Sequence, residues 1–400
     1  MKILVLSTKP PWPPHDGGAF ATLKCIEGLT ANGATVSLLA MKTHKHSSAG
    51  SQGDVPGGIV HAAFTDVDTT INPLDAVMNL LFSGEPYDML RFISESYRSA
   101  LRSLLQRDNF DVIQCEGPLF SYYYGLIRSL SGARIVLRAH NLEHRIKEMR
   151  AYSEKNPLAK AYLNNLSARI KKREITSGQL ADAIVSISED DMKWFTGVCP
   201  GKPAIVAETG VSICRDVIAG QREMAVGFIG ALDWKPNIDG LLWFIKKVWP
   251  AIISEVPAAM LYVAGRNASP NTRSLISGRN IVFEGEVDDS RSFTASMTVM
   301  IAPLFAGSGQ RIKIIEAMSL ERVIIATPVA ADGLQVTDSD TILIGRDEKE
   351  FVSKTVSALL NPTLREKICS SAADLIRNRY NNLTITARLL DFYKSLCNDH

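Results

Sequence analysis

The sequence predicts an α/β protein of two units, each a parallel sheet covered by helices. Three observations carry this. Short apolar runs rich in β-formers alternate with helical stretches along nearly the whole chain, as in a sheet buried on both faces. The alternation lapses once, in the polar, turn-rich ETGVSICRDVIAGQR from Glu208 to Arg222. The chain's 400 residues also exceed one typical core.

The elements follow in order. KILVLS is a strand, PPWPPHDGG a loop, and a helical pattern runs from about Ala19 to Asn32 before the strand ATVSLLA. Residues 42–57 are rich in Ser, Gly, His and Lys without periodicity and read as a mobile loop. DVIQCE, ARIVLRA and ADAIVSI are further strands. A second series begins near residue 223 with AVGFIG, then AAMLYVAG, NIVFEG, TVMIAP and RVIIAT. Both series open with a strand, a loop carrying Pro and Gly or Asn, and a helix, so the reading is two Rossmann-like domains. The expected bounds are 1–207 for the first domain, 208–222 for a linker and 223–381 for the second. Ligands of such sheets lie beyond the carboxyl ends of the strands, and in a two-domain protein those ends can face each other across a central cleft.

Composition bounds the function. The chain is 46% hydrophobic and 22% charged, with a net charge of +2, which gives no nucleic-acid signature. Six scattered cysteines without a C-x-x-C read as free thiols in a reducing compartment. The first apolar run, ILVL, is too short for a signal peptide, and no stretch approaches the ~18 residues of a membrane span. The expected location is the cytoplasm, with peripheral contact at the inner face of the membrane left open.

One stretch raises a question of charge. PLFAGSGQRIKIIEAMS, from Pro303 to Ser319, reads as strand end, glycine turn and helix, with Ile312, Ile315 and Leu320 near one face. Gly307 and Gly309 supply the turn, and Ser308 is the expected N-cap. Arg311 and Lys313 then sit in the first turn, where the helix dipole disfavours cations by about a few tenths of a kcal/mol each. An anion held by the free backbone N–H groups reverses that sign. The alternative is two solvated cations, with Lys313 pairing Glu316.

Other stretches are less specific. Gly17 and Gly18 allow close backbone approach after the first strand, but the loop lacks G-x-G-x-x-G, which argues against a nicotinamide cofactor. Asp16 can meet acceptor hydroxyls or cap the helix. HNLEH, from His140 to His144, matches the letters of a zinc signature, yet follows a strand directly and has no identifiable third ligand. Arg169, Lys171, Lys172 and Arg173 form a basic run, read as a solvated helix face with acidic lipid headgroups as the alternative. Trp243 and Trp249 read as core anchors, and the DSD at Asp338 to Asp340 as a coincidence with a metal motif.

FIGALDWKPNIDGLLWF, LYVAGRN, IVFEGEV and APLFAGSGQRIKIIEAMSLERVIIATPVAADGL occur in that order in the second half; DGGA, RAHNLEH and SISEDD add looser matches in the first. Together they resemble a retaining, family 4 type glycosyltransferase of the GT-B fold. The resemblance implies transfer of a sugar from a nucleotide-diphosphate sugar to a sugar, lipid-linked or other hydroxyl acceptor, with retention, in polysaccharide or glycoconjugate synthesis. It implies no cofactor, no metal and no nucleic-acid partner. His140, Lys235 and Arg311 become the catalytic candidates, with an exposed turn lysine as the alternative for Lys235 and a core histidine for His140. Gly17, Gly18, Gly230, Glu286, Val287, Ser308, Gly309, Gln310, Arg311, Lys313 and Glu316 become donor-binding candidates. Arg311, Lys313 and Lys235 would neutralise the diphosphate, Gly309 and Gln310 add backbone donors, and Glu316 accept from ribose hydroxyls. Two departures stand out: Ser308 where many members carry a glutamate, and Ala231 after Gly230 where many carry an arginine. A nucleotide-sugar epimerase or hydrolase, or a non-catalytic binding protein, are the rival readings. The last helical stretch, about 382–398, is expected to return to the first domain.

Overall fold

The computed structural model describes residues 1–14, 16–44, 58–212, 220, 222–306 and 309–398. The chain forms two compact units, Met1–Gly210 with Asn382–His400, and Val211–Asn381.

The first unit is built on a parallel sheet: β1 (Lys2–Ser7), β2 (Thr35–Lys42), β3 (Ile59–Asp66), β4 (Val112–Glu116), β5 (Arg134–Ala139), β6 (Ala183–Ser186) and β7 (Ala204–Val206). Their spatial order is β3-β2-β1-β4-β5-β6-β7. The central strands bury both faces. Leu4, Leu6, Ile113, Cys115, Ile135 and Leu137 join one core, and Ile3, Val5, Val112 and Val136 join the other. Period-two alternation into two cores is why these strands read as unbroken apolar runs. The edge strands β3 and β7 lack that signature, since their residues are at best partly buried, and the sequence reading passes over them.

Four helices matter for this unit: α1 (Gly17–Ala31), α2 (Pro73–Phe82), α3 (Glu143–Ser153) and α4 (Pro157–Leu180). Helix α1 starts two residues earlier than expected because Asp16 caps it, its carboxylate accepting from Ala19 N at 2.9 Å.

The second unit repeats the plan with β8 (Ala225–Ile229), β9 (Met260–Ala264), β10 (Ile281–Gly285), β11 (Val299–Ala302), β12 (Val323–Ala326) and the two-residue edge strand β13 (Leu343–Ile344), in the order β10-β9-β8-β11-β12-β13. Helix α5 (Lys235–Trp243) follows β8, and α6 (Ile312–Ser319) follows β11. Trp249 is buried in this core and Trp243 packs against it.

The last helix, α7 (Asn382–Asn398), lies on α1 of the first unit. Asn32 Nδ2 donates to Thr386 Oγ1 at 3.0 Å, and Asn382 Nδ2 to Lys24 O at 2.7 Å. Gly28 makes this approach possible, since a Cβ there would stand 2.3 Å from Thr386 Oγ1. In each unit the strand order reverses at one point, between β1 and β4 and between β8 and β11. The loops leaving these strands flank the crevice where open parallel sheets take ligands.

Candidate active site

In the second unit the crevice is flanked by the loops after β8 and β11. Arg311, not Ser308, is the N-cap of α6, and Lys313 lies in its first turn. Ser308 and Gly307 lie outside the described residues. Gly309, at φ +83°, takes the left-handed conformation that favours glycine. Gly309 and Gln310 therefore precede the helix and do not form its first turn. Lys313 Nζ reaches back across the sheet end and donates to Ile229 O at 3.1 Å. Gly230 leaves room for it, because a Cβ at that position would stand 2.9 Å from the ammonium.

The two loops are locked together. A Cβ at Gly240 of α5 would fall 1.7 Å from Pro303 O, so only glycine lets α5 meet the start of the β11 loop. Phe305 stacks edge-on against Trp243, ring centroids 4.9 Å apart. Asn237, buried in the first turn of α5, donates from Nδ2 to Ala231 O at 2.9 Å and holds the other loop.

The electrostatics fit the charge pattern. Lys313 is exposed as a residue, and its ammonium rests against Ile229 O at the end of the sheet. Desolvation pushes its pKa below the usual lysine value; Glu316 opposes this, and Arg266 and Arg311 add to it. Burial likewise lowers Arg311, against the pull of Asp332. Both cations are held at the positive end of a helix in surroundings that disfavour their charge, which an incoming anion would relieve.

Lys235 is the first residue of α5 and is exposed, its ammonium forked onto Asp239 at 2.8 and 2.9 Å. Glu286 is exposed and Val287 half-buried just beyond β10, and Glu316 is half-buried one turn after Lys313. The structure thus brings Gly230 and Lys313 together and gives Lys235 a partner on its own helix.

In the first unit, His140 follows β5 and faces the start of α1. A Cβ at Gly18 would lie 3.4 Å from each of His140 Nδ1, Asp16 Oδ1 and Lys9 Nζ. An imidazole, a carboxylate and an ammonium therefore converge over Gly18, and Lys9 and Asp16 form an ion pair. Gly17 is exposed beside them as the first helical residue.

Behind His140 lies Glu116, buried at the carboxyl end of β4. It accepts from Arg138 Nη1 at 2.9 Å, from Thr22 Oγ1 at 3.2 Å, and from Gln114 Nε2 and His140 Nε2. Burial alone would raise its pKa, but Arg138, His140 and Gln114 outweigh that and hold it at about 2. A carboxylate that stays ionised fixes the proton on His140 Nε2 and turns Nδ1 toward Gly18. Gln114 in turn accepts from Tyr393 OH of α7 at 2.7 Å, so the returning helix anchors the network.

HNLEH divides its histidines. His140 takes Glu116, while buried His144 pairs through Nδ1 with Glu174 of α4. Among the described residues no group of three or more His, Cys, Asp or Glu is placed to hold a metal ion. Asp338 of the DSD is committed to Lys354, at 2.8 and 2.9 Å, and to the Ile344 N–H at 2.8 Å.

Residues 223–361, which carry the β8 and β11 loops, match the family model described as glycosyl transferases group 1. The chain carries a group 1 glycosyltransferase domain. Its whole length resembles an uncharacterized 44.6 kDa protein in the cps region of Klebsiella pneumoniae, 22% identical over 95% of this chain and 97% of that protein. Two solved structures are similar in fold. Anabaena HepE in complex with UDP-glucose is 13% identical with a TM-score of 0.64, covering 99% of this chain and 100% of that one. Staphylococcus aureus TarM, in complex with Fondaparinux, alpha-GlcNAc-glycerol and UDP, is 11% identical with a TM-score of 0.68, covering all of both chains. The glycosyltransferase thus has the GT-B fold, with α/β architecture in both units.

Three residues of the glycosyltransferase's first unit escape a sequence reading: Lys9, Glu116 and Arg138. Glu116 and Arg138 do leave a trace, each a charge at or next to the carboxyl end of a mainly apolar strand. A buried charge of that kind needs a partner, but only the parallel register, which aligns Glu116 with Arg138 across β4 and β5, names it.

Proposed function

We propose that this glycosyltransferase moves a sugar from a nucleoside-diphosphate sugar to an acceptor hydroxyl, with retention and without a metal ion. The observation that carries it is the pair of partly desolvated cations, Arg311 and Lys313, at the start of α6. The UDP-glucose complex of HepE and the UDP complex of TarM support a nucleotide donor. In the reaction the acceptor oxygen replaces the diphosphate at the anomeric carbon, the electron pair of the broken bond leaves with the diphosphate, and the acceptor hydroxyl's proton passes to the departing phosphate oxygen. Fixed cations that meet that charge favour the transition state, and they can do so without a divalent ion. Gly230, Gly309, Gln310 and Ser308 would let the donor approach the backbone, Glu316 would take the ribose, and Glu286 and Val287 would frame the base. Lys235 would join the diphosphate by exchanging Asp239 for it. His140, with Gly17 and Gly18, would meet the transferred sugar and the acceptor. The products fit polysaccharide or glycoconjugate synthesis on the cytoplasmic side of a membrane.

A calorimetric titration against a panel of nucleotide sugars tests this. One donor should bind, and Arg311→Ala and Lys313→Ala should each weaken it by about 1.5–3 kcal/mol, roughly ten- to a hundred-fold in Kd. Turnover should survive exhaustive chelation. Unchanged affinity in both variants removes the diphosphate assignment, and loss of turnover on chelation removes the metal-free mechanism.

A further inference from the structure

Helix α2 of the first unit lies in an unusual place for its sequence. PLDAVMNLLF is apolar but for Asp75 and Asn79, and none of its residues is buried. Leu74 is 75% exposed, Leu81 66% and Phe82 77%, and Ile71 just before the helix is 67% exposed. Apolar surface gathered on one exposed helix, unlike single scattered side chains, marks a contact surface.

The helix is nonetheless fixed. Asn72 caps it, accepting from Leu74 N at 3.0 Å. Arg169 of α4 holds the last turn, with Nη1 donating to Asn79 O and Oδ1 at 3.1 Å and Nη2 to Leu80 O at 2.9 Å. A guanidinium satisfying the final carbonyls is a helix stop that also suits the dipole.

Arg169 joins α2 to a strongly basic neighbour. The hairpin of α3 and α4, Glu143–Leu180, holds nine lysines and arginines against four glutamates, a net of +5 where the whole chain carries +2. Arg145, Arg150, Lys155, Lys160, Lys171 and Lys172 are exposed. At the hairpin's tip Tyr152 is 87% and Leu158 83% exposed, so apolar and cationic side chains mingle there too.

We infer that α2 and the α3–α4 hairpin form one docking surface for an anionic lipid bilayer. Exposed Leu, Met and Phe partition into the headgroup boundary, and clustered cations answer anionic headgroups. At ten residues, α2 is roughly 15 Å long, about half the hydrocarbon thickness, so it lies in the interface and does not cross it. A second copy of the chain is a poorer occupant, because it would set one +5 hairpin against another. The hairpin begins three residues after His140, so on the glycosyl-transfer reading the surface would hold the first unit near lipid-linked acceptors. The docking itself does not depend on that reading.

Co-sedimentation of the full chain with phosphatidylcholine vesicles, with and without phosphatidylglycerol, tests the surface. Binding should require phosphatidylglycerol and weaken with salt. Leu74→Ser with Phe82→Ser, and separately Lys155→Glu with Lys160→Glu, should each lower partitioning at least ten-fold while leaving the melting curve and donor titration unchanged. No binding to either vesicle, or binding that neither double variant weakens, overturns the inference. So does a dimer in sedimentation velocity that the Leu74 and Phe82 changes dissolve, which would make a second copy the occupant.

Discussion

Glu116→Gln isolates the charge at the centre of the first unit's network. The wild-type carboxylate is held at about 2 instead of the ordinary 4.5, which corresponds to about 3 kcal/mol of folded-state stability at neutral pH. The raised pKa of Arg138 expresses the same interaction from the other side and is not added to it. Because the folded pKa is depressed, this stability is fully present above about pH 4.5 and is lost as pH falls toward about 2. Glutamine keeps the shape and an acceptor oxygen but not the charge, and leaves Arg138 buried without its anion. Breaking a buried pair from one side costs about 3–5 kcal/mol. For a unit of this size that is a fall of roughly 6–20 °C in the melting temperature of the first unit at pH 7. The assay is thermal unfolding of wild type and variant from pH 7 to pH 3, followed by scanning calorimetry. The gap between them should be widest at neutral pH and narrow below about pH 4.5. Equal melting at pH 7, or a gap that does not change with pH, refutes the reasoning that an ionised Glu116 organises this end of the sheet.

Three further outcomes are expected. His140→Ala should lower turnover by ~10²-fold or more with little change in donor affinity, because its contact matures at the transition state; a melting-temperature loss with normal turnover would make it a core histidine instead. Donor affinity should decline as pH rises above about 8, where free Lys313 loses its proton, and binding there should take up a proton; calorimetry in buffers of different ionisation enthalpy reads this, and a flat profile through pH 9 counts against Lys313 as a diphosphate ligand. Gly240→Ala should destabilise the second unit by about 3 kcal/mol or more, since its Cβ would collide with Pro303 O; chemical unfolding checks this, and a neutral effect would mean that α5 and the β11 loop are not locked together.

The sequence by itself determined whatever depends on neighbours along the chain. Central strands such as β1 and β5 are buried on both faces, so their apolar runs are unbroken and visible. The glycines Gly307 and Gly309 and the cations Arg311 and Lys313 lie within seven residues, so their grouping is legible as a local motif. The edge strands β3 and β7 were not legible, because partial burial leaves no continuous run, and β13 was not because it is only two residues long. Tertiary structure alone decided the meeting of Glu116 with Arg138 and His140, groups 22 and 24 residues apart that the parallel register sets side by side. It also decided that Lys313 turns to Ile229 O, 84 residues away in sequence, through space left by Gly230. Helix α2 shows the same division. Its apolar composition alone would suit a core helix, and exposure is a property of what packs against it, which no local pattern of residues records.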